Sequence, residues 1–146
     1  MLPTLQPNDR VLVLQRARPR RFDIVVFTDP TDGNLSIKRV VGLPGDLLEL
    51  RAKVIGTEDG LPLVNGHALR LNDRPVGEAY ASAMLPTPRG PLKVPAGRYY
   101  LLGDNRDNSL DSRDYGPVKA AAVRGRAVAV YYPFARFKRI RPTAKR

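Results

Sequence analysis

Cysteine is absent from this chain of 146 residues, which excludes disulfides, thiol nucleophiles and thiolate metal sites together. Histidine occurs once, at His67. A single imidazole cannot build a multi-histidine metal centre, and any Ser-His-Asp triad would have to use it. Its setting, Val64-Asn65-Gly66-His67, points to a turn instead, because Asn-Gly suits the left-handed positions of a tight hairpin. No metal and no cofactor is therefore expected. Long apolar runs are missing as well: no stretch approaches the ~20 apolar residues of a membrane span. From Lys119 onward acidic residues disappear, leaving nine Lys or Arg uncompensated.

That imbalance sits within a net charge of +11 and a pI near 10.5, so an anionic partner suits the chain. Nucleic acid is not expected, since zinc-finger spacing, RNP patterns and Gly-rich phosphate loops are all lacking. An anionic membrane surface remains, with a merely solubilising tail as the plain alternative. The chain is rich in turn formers, with 14 Pro and 12 Gly, and carries frequent Val, Ile and Tyr but no long helical period and no internal repeat. A mostly β, single-domain protein with short connections and little helix follows. Strands are expected at Arg10–Gln15, Phe22–Phe27, Leu35–Val41, Leu47–Leu50 and Arg98–Leu102, with a final pair at Val118–Val123 and Gly125–Tyr132. Residues 51–91, ending in a Pro-rich connection from Glu78 to Pro91, read as a small inserted β lobe. It divides a β core made of residues 1–50 and 92–135, and a basic tail takes residues 136–146.

One stretch stands apart. Gly103 to Pro117 (GDNRDNSLDSRDYGP) alternates carboxylates, guanidiniums, amides and hydroxyls, a composition that fits neither a buried strand nor an amphipathic helix. It is expected to be a loop whose Arg forks and Asp carboxylates bond one another, holding a hydroxyl in one position. The preceding Tyr99-Tyr100-Leu101-Leu102 reads as a buried strand that delivers it.

Reactive chemistry then rests on Ser, Thr, Lys, Asp and Arg. Within Leu35–Val41, alternation puts Lys38 on one face with Ser36 and Val40, and Arg39 on the other. If the Lys38 face is packed, desolvation lowers the amine toward the range where it exists uncharged and can act as a base for a hydroxyl nucleophile. A Ser-Lys dyad fits this inventory, although composition does not say which serine faces the lysine.

Met1-Leu-Pro-Thr-Leu5, Asp9-Arg10 with the strand to Leu14, Phe22-Asp-Ile-Val-Val-Phe27, Ile37-Lys-Arg-Val-Val-Gly-Leu-Pro-Gly-Asp46, Val64-Asn-Gly66 and Gly103-Asp-Asn-Arg-Asp-Asn-Ser-Leu-Asp-Ser-Arg113 together resemble type I signal peptidase, in order and over Met1 to about Tyr132. The resemblance implies coiled antiparallel β-sheets and a membrane-anchored serine endopeptidase that removes signal peptides from exported preproteins outside the cell membrane. By position, Lys38 matches its general base and Ser109 the hydroxyl that orients the lysine. Asp111 and Arg113 match an ion pair that fixes the loop. Met1, Leu5, Val26 and Ile37 match the lining of pockets for small side chains before the cut. In the family the nucleophilic serine directly precedes Met-x-Pro-Thr-Leu, so the nucleophile, a second serine of the oxyanion hole and the anchoring helix are expected upstream of Met1, and the chain as written is not expected to cleave. Phe22 stands where the family usually has Gly. A repressor-type self-cleaving Ser-Lys protease shares the chemistry but not the Asp111-Ser112-Arg113 loop. A non-catalytic β module docking on anionic lipid or nucleic acid is the alternative from another class.

Overall fold

The computed structural model describes residues 1–58, 61–76, 89–106 and 108–142, which form two antiparallel sheets. Numbered in chain order, the larger sheet holds β1 (Arg10–Gln15), β2 (Ile24–Thr28), β3 (Leu35–Gly42), β8 (Arg98–Leu102), β9 (Val118–Lys119), β10 (Val123–Tyr132) and β11 (Lys138–Arg139). Their order is β1-β10-β2-β3-β8-β9, with β11 also paired to β10. The smaller sheet, ordered β6-β5-β4-β7, holds β4 (Leu47–Glu58), β5 (Leu61–Leu71), β6 (Arg74–Val76) and β7 (Arg89–Lys93).

β2 is central because both of its faces are apolar. Ile24 packs with Leu5, Ala127 and Val130 on one side, while Val25 and Phe27 pack with Val40, Tyr99, Leu101 and Val118 on the other. A third cluster, Val41, Leu48, Leu71, Val94, Tyr100 and Leu102, joins the two sheets. Gly42 lies inside that joint, where an added Cβ would come within 2.6 Å of Leu48 Cδ1 and 2.9 Å of Tyr100 Cβ.

Four expectations are corrected. β4 does not stop at Leu50 but runs to Glu58. Asn65-Gly66 makes no hairpin: β5 passes through it, and the register steps from Ala52↔His67 to Val54↔Val64, so β5 carries one extra residue as a bulge. The tight turn falls instead at Asn72-Asp73, both with positive φ (48° and 64°), the pair of conformations a two-residue hairpin requires. Val118–Val123 is not one strand, since a 3-10 turn at Ala120–Ala122 separates β9 from β10. Residues 136–146 do not begin as a free tail: Arg136 forks onto the Asp9 carboxylate (2.7 and 3.0 Å), Lys138 donates to the Thr4 carbonyl (2.8 Å), and β11 pairs with Ala129 and Val130. Residues 77–88 of the Pro-rich connection and 143–146 of the basic terminus lie outside the described residues.

β2 begins at Ile24 rather than at Phe22, whose φ is +67°. This is the left-handed region that glycine enters freely and a side chain enters at a cost of about 1 kcal/mol or more. Phe22 is held there by the packing of its ring on the cluster between the sheets and by its amide, which donates to the Val40 carbonyl at 2.7 Å. Phe22→Ala keeps the strain and loses the ring. Phe22→Gly loses the ring and relieves the strain, so urea unfolding should find the Gly variant the more stable of the two by about 1 kcal/mol. An Ala variant at least as stable as the Gly variant contradicts a strained residue 22.

Candidate active site

Alternation along β3 gives its two consecutive cations opposite surroundings. Lys38 lies across from Val25 and shares the face of Phe27 and Val40, whereas Arg39 lies across from Ile24 on the other face. β8 pairs with β3 only through Arg39, Val40 and Gly42, then leaves the sheet at Gly103. The polar loop that follows comes back over the lysine. Lys38 Nζ donates to Ser109 Oγ at 2.9 Å.

The loop is built to hold that hydroxyl. Asp111, fully buried, accepts from the Gly103 amide (3.0 Å), from Arg113 Nε and Nη2 (2.8 and 2.9 Å) and from the Arg113 amide (3.1 Å). Arg113 Nη2 also reaches the Ser109 carbonyl at 3.3 Å. Here the expectation of a plain loop is incomplete, for Ser112–Tyr115 forms one helical turn, α1. Asp111 caps it, and Asp114 accepts from the Asp111 amide at 2.9 Å, a reciprocal box of acidic side chains spaced three apart. Ser112 Oγ accepts from the Leu101 amide (2.9 Å), which pins the turn to β8, and Arg106 Nε donates to the Gly103 carbonyl (2.9 Å). Gly103 is the point of closest approach: a Cβ there would fall 2.1 Å from Ser109 Oγ and 2.6 Å from Ser109 Cβ.

Burial lowers the pKa of the half-buried Lys38 amine below its ordinary 10.5. Asp111 and Asp29 pull it partly back and Arg113 pushes it further down. Burial by itself would raise the Asp111 carboxyl, but the Arg113 guanidinium and the Gly103 amide together hold it below the usual carboxylate range. The loop thus keeps its own carboxylate ionised and matched to an arginine, which limits what it offers the lysine.

On the opposite face the Arg39 guanidinium, wholly buried, forks onto Asp104 at 2.8 and 2.6 Å and donates to the Phe22 carbonyl at 2.9 Å. Thr4 Oγ1 joins the pair, donating to Asp104 and accepting from Arg39 Nη2. This fixes the N-terminal segment against β3. Met1, Leu5 and Ile37 all meet the cluster of Ile24, Ala127 and Val130, and Val26 lies across the ladder from Ile37. Met1 is partly buried there. The sequence-predicted residues therefore assemble in two groups: Lys38, Ser109, Asp111 and Arg113 over one face, Met1, Leu5, Val26 and Ile37 on the other. Sequence reasoning gave no site role to Arg39, Asp104, Thr4 or Asp29. The available signal was Arg39 itself, a cation in an apolar strand that has to find a buried carboxylate.

The site is thus a half-buried lysine on an interior strand, held on a serine hydroxyl by a polar loop, with the N-terminal segment fastened to the same strand. The family model described as "Signal peptidase, peptidase S26" matches residues 1–132. Signal peptidase I of Leptolyngbya laminosa is 36% identical over 97% of this chain and 69% of its own length. A probable signal peptidase I-2 of Synechocystis is 39% identical over the whole chain and 65% of its own length. The solved signal peptidase I of Enterococcus faecalis V583 superposes with a TM-score of 0.56 at 32% identity, covering 75% of this chain and 97% of that one. A mitochondrial inner membrane protease subunit of Arabidopsis thaliana is 30% identical over 98% of this chain. This chain belongs to the signal peptidase family of serine proteases, peptidase S26. Its mostly antiparallel β fold and its relatives support signal-peptide removal. No described helix is long and apolar enough to cross a membrane.

Any side chain at position 103 must displace Ser109. Gly103→Ala is expected to cost about 1–3 kcal/mol in urea unfolding. Most of that cost should vanish in a Ser109→Gly background, giving a coupling of at least ~1 kcal/mol in a double-mutant cycle. Additive costs contradict the direct contact.

Proposed function

We propose that this chain is the catalytic part of a Ser-Lys endopeptidase that cleaves signal peptides from exported preproteins, with Lys38 as general base. The observation that carries this reading is the half-buried Lys38 amine, lowered in pKa and held 2.9 Å from Ser109 Oγ. The nucleophile is a serine directly before Met1. In support of it, Thr4 is bonded to Arg39 and Asp104, which lays the N-terminal segment beside the strand that carries Lys38.

The chemistry then follows from the residues present. The neutral amine removes the serine proton as the serine oxygen attacks the scissile carbonyl, and returns it to the departing amine of the mature chain. It next takes a proton from the water that hydrolyses the acyl-enzyme. Ser109 accepts one amine hydrogen and so points the nitrogen lone pair, while Asp111 and Arg113 act through the loop as positioning residues. Among the described strands, the Leu35–Lys38 part of β3 has no partner on its β8 side, an edge to which an extended substrate can add as a strand. Met1, Leu5, Val26 and Ile37 shape the shallow apolar pockets that accept small side chains at the first and third residues before the cut.

The same reading puts the domain against an anionic membrane on the extracytoplasmic side, anchored by a preceding helix. Phe134 (81% exposed) and Phe137 (67%) stand out beside Tyr132, next to the exposed Arg139 and Arg141. Aromatic rings flanked by cations suit the headgroup region. Each cation near an anionic surface contributes about 1 kcal/mol. Replacing Arg139 and Arg141 by Gln should therefore weaken liposome sedimentation on anionic vesicles by about tenfold or more, with no effect on zwitterionic ones; sedimentation blind to lipid charge removes the membrane role.

In a chain extended upstream through the serine, Lys38→Met should lower cleavage of a preprotein by about 10⁴-fold or more. The fold should survive. A lysine whose folded pKa lies below its unfolded one subtracts stability at all pH values below the folded pKa, and the loss is recovered as pH rises through 10.5. Removing it therefore does not destabilise the protein at neutral pH. The ascending limb of the pH–rate profile should lie below pH 10.5 and report this amine. Retained cleavage in the Met variant takes Lys38 out of the mechanism.

A further inference from the structure

The basic connection between β1 and β2 has no part in the chemistry above, yet it forms a wall of a cavity of about 590 Å³. That is the size of a small-molecule site, which commonly spans about 300–1,000 Å³. Arg18, Arg20 and Arg21 line it from this connection, Arg126 from β10, and Leu43 and Tyr99 supply apolar surface. Lys38, Ser109, Asp111 and Arg113 are not among its lining residues.

Charge in the cavity is unbalanced. Arg21 forks onto Asp46 at 2.6 and 2.9 Å, and Arg126 Nη1 lies 3.3 Å from Asp23, whose carboxylate is shared with the Arg20 amide at 2.8 Å. Two carboxylates thus face four guanidiniums. The Arg18 and Arg20 side chains are exposed and make no ion pair among the described residues. Arg126 Nε is buried with no hydrogen-bond acceptor, an arrangement that leaves a charged donor without the partner such groups normally find. Four arginines lining one cavity from two elements suit a tetrahedral group with three acceptor oxygens better than a planar carboxylate, which a single fork already satisfies.

We infer that this cavity is a second binding site, separate from the catalytic one, for a phosphate-bearing group, either a soluble phosphate ester or the headgroup of an anionic lipid. The apolar floor accommodates the organic part of the ester. Arg21 and Arg126, already tethered to Asp46 and Asp23, form the fixed side of the site, and Arg18 and Arg20 close on the ligand.

The test uses the full chain and the charge-matched variants Arg18→Gln/Arg20→Gln and Arg139→Gln/Arg141→Gln, all four positions being exposed. Glycerol phosphate is titrated at low ionic strength and followed by NMR at Arg side-chain N–H groups. Saturable binding that moves the Arg126 Nε resonance, is at least tenfold weaker in the first variant and is unchanged in the second supports the site. No saturation, or equal weakening in both variants, overturns it. Phosphatidylglycerol vesicles then identify the source: pull-down reduced in the first variant and competed by glycerol phosphate assigns a lipid headgroup, whereas pull-down unchanged in the first variant, with glycerol phosphate still bound by the unsubstituted chain, assigns a soluble ester.

Discussion

The buried pair of Arg39 and Asp104 is the constraint on which the rest of the structure depends. It draws together four separate pieces of chain: Thr4 of the N-terminal segment, the Phe22 carbonyl ahead of β2, β3 itself, and the first residue of the polar loop beyond Gly103. Replacing such a pair by apolar residues can be energetically neutral, but removing one member leaves an uncompensated charge in the core and costs about 3–5 kcal/mol. Its contribution is specificity rather than raw stability. With the guanidinium fully used by Asp104, Thr4 and Phe22, the N-terminal segment has one resting place, and Gly103 one direction in which to leave the sheet.

Strand alternation turns this into chemistry. One residue along from a fully paired cation stands one whose surroundings are Val25, Phe27 and Val40 and whose nearest polar partner is a neutral hydroxyl. The carboxylates that might hold Lys38 charged are spoken for. Asp111 is matched by Arg113, and Asp29 accepts from the amide and hydroxyl of Thr31. Neighbouring positions in the chain therefore meet different electrostatic environments because the pleat sends them to opposite faces.

Much of this was legible in the residues. β1 and the strand Arg98–Leu102 were legible to the residue, and β2 and β3 to within one or two, because their apolar runs are bounded by Pro, Gly and Asp. The convergence of Lys38 and Ser109, 71 residues apart, was legible only through likeness to a family, since strand periodicity gives a face but not a partner. What stayed hidden were features set by tertiary pairing. Asn65-Gly66 satisfies a hairpin and a bulge equally well, and the register of β4 against β5 decides between them. Phe22 in a left-handed conformation contradicts its own preference and is tolerated only because its ring and amide are both anchored. Asp114 as the second half of a capping box was masked by the dense polarity around it.

The clasp between the two ends of the described chain sets an order of events during synthesis. Arg136 and Asp9 are 127 residues apart, and Lys138 holds the Thr4 carbonyl across a still longer separation. A nascent polypeptide that has released Lys38 and the whole polar loop still lacks the strap that fastens Thr4 and its neighbours to β10. A chain cut short before Arg136, however well its sheets have formed, therefore leaves the N-terminal segment without the two contacts that reach it from the far side of β10.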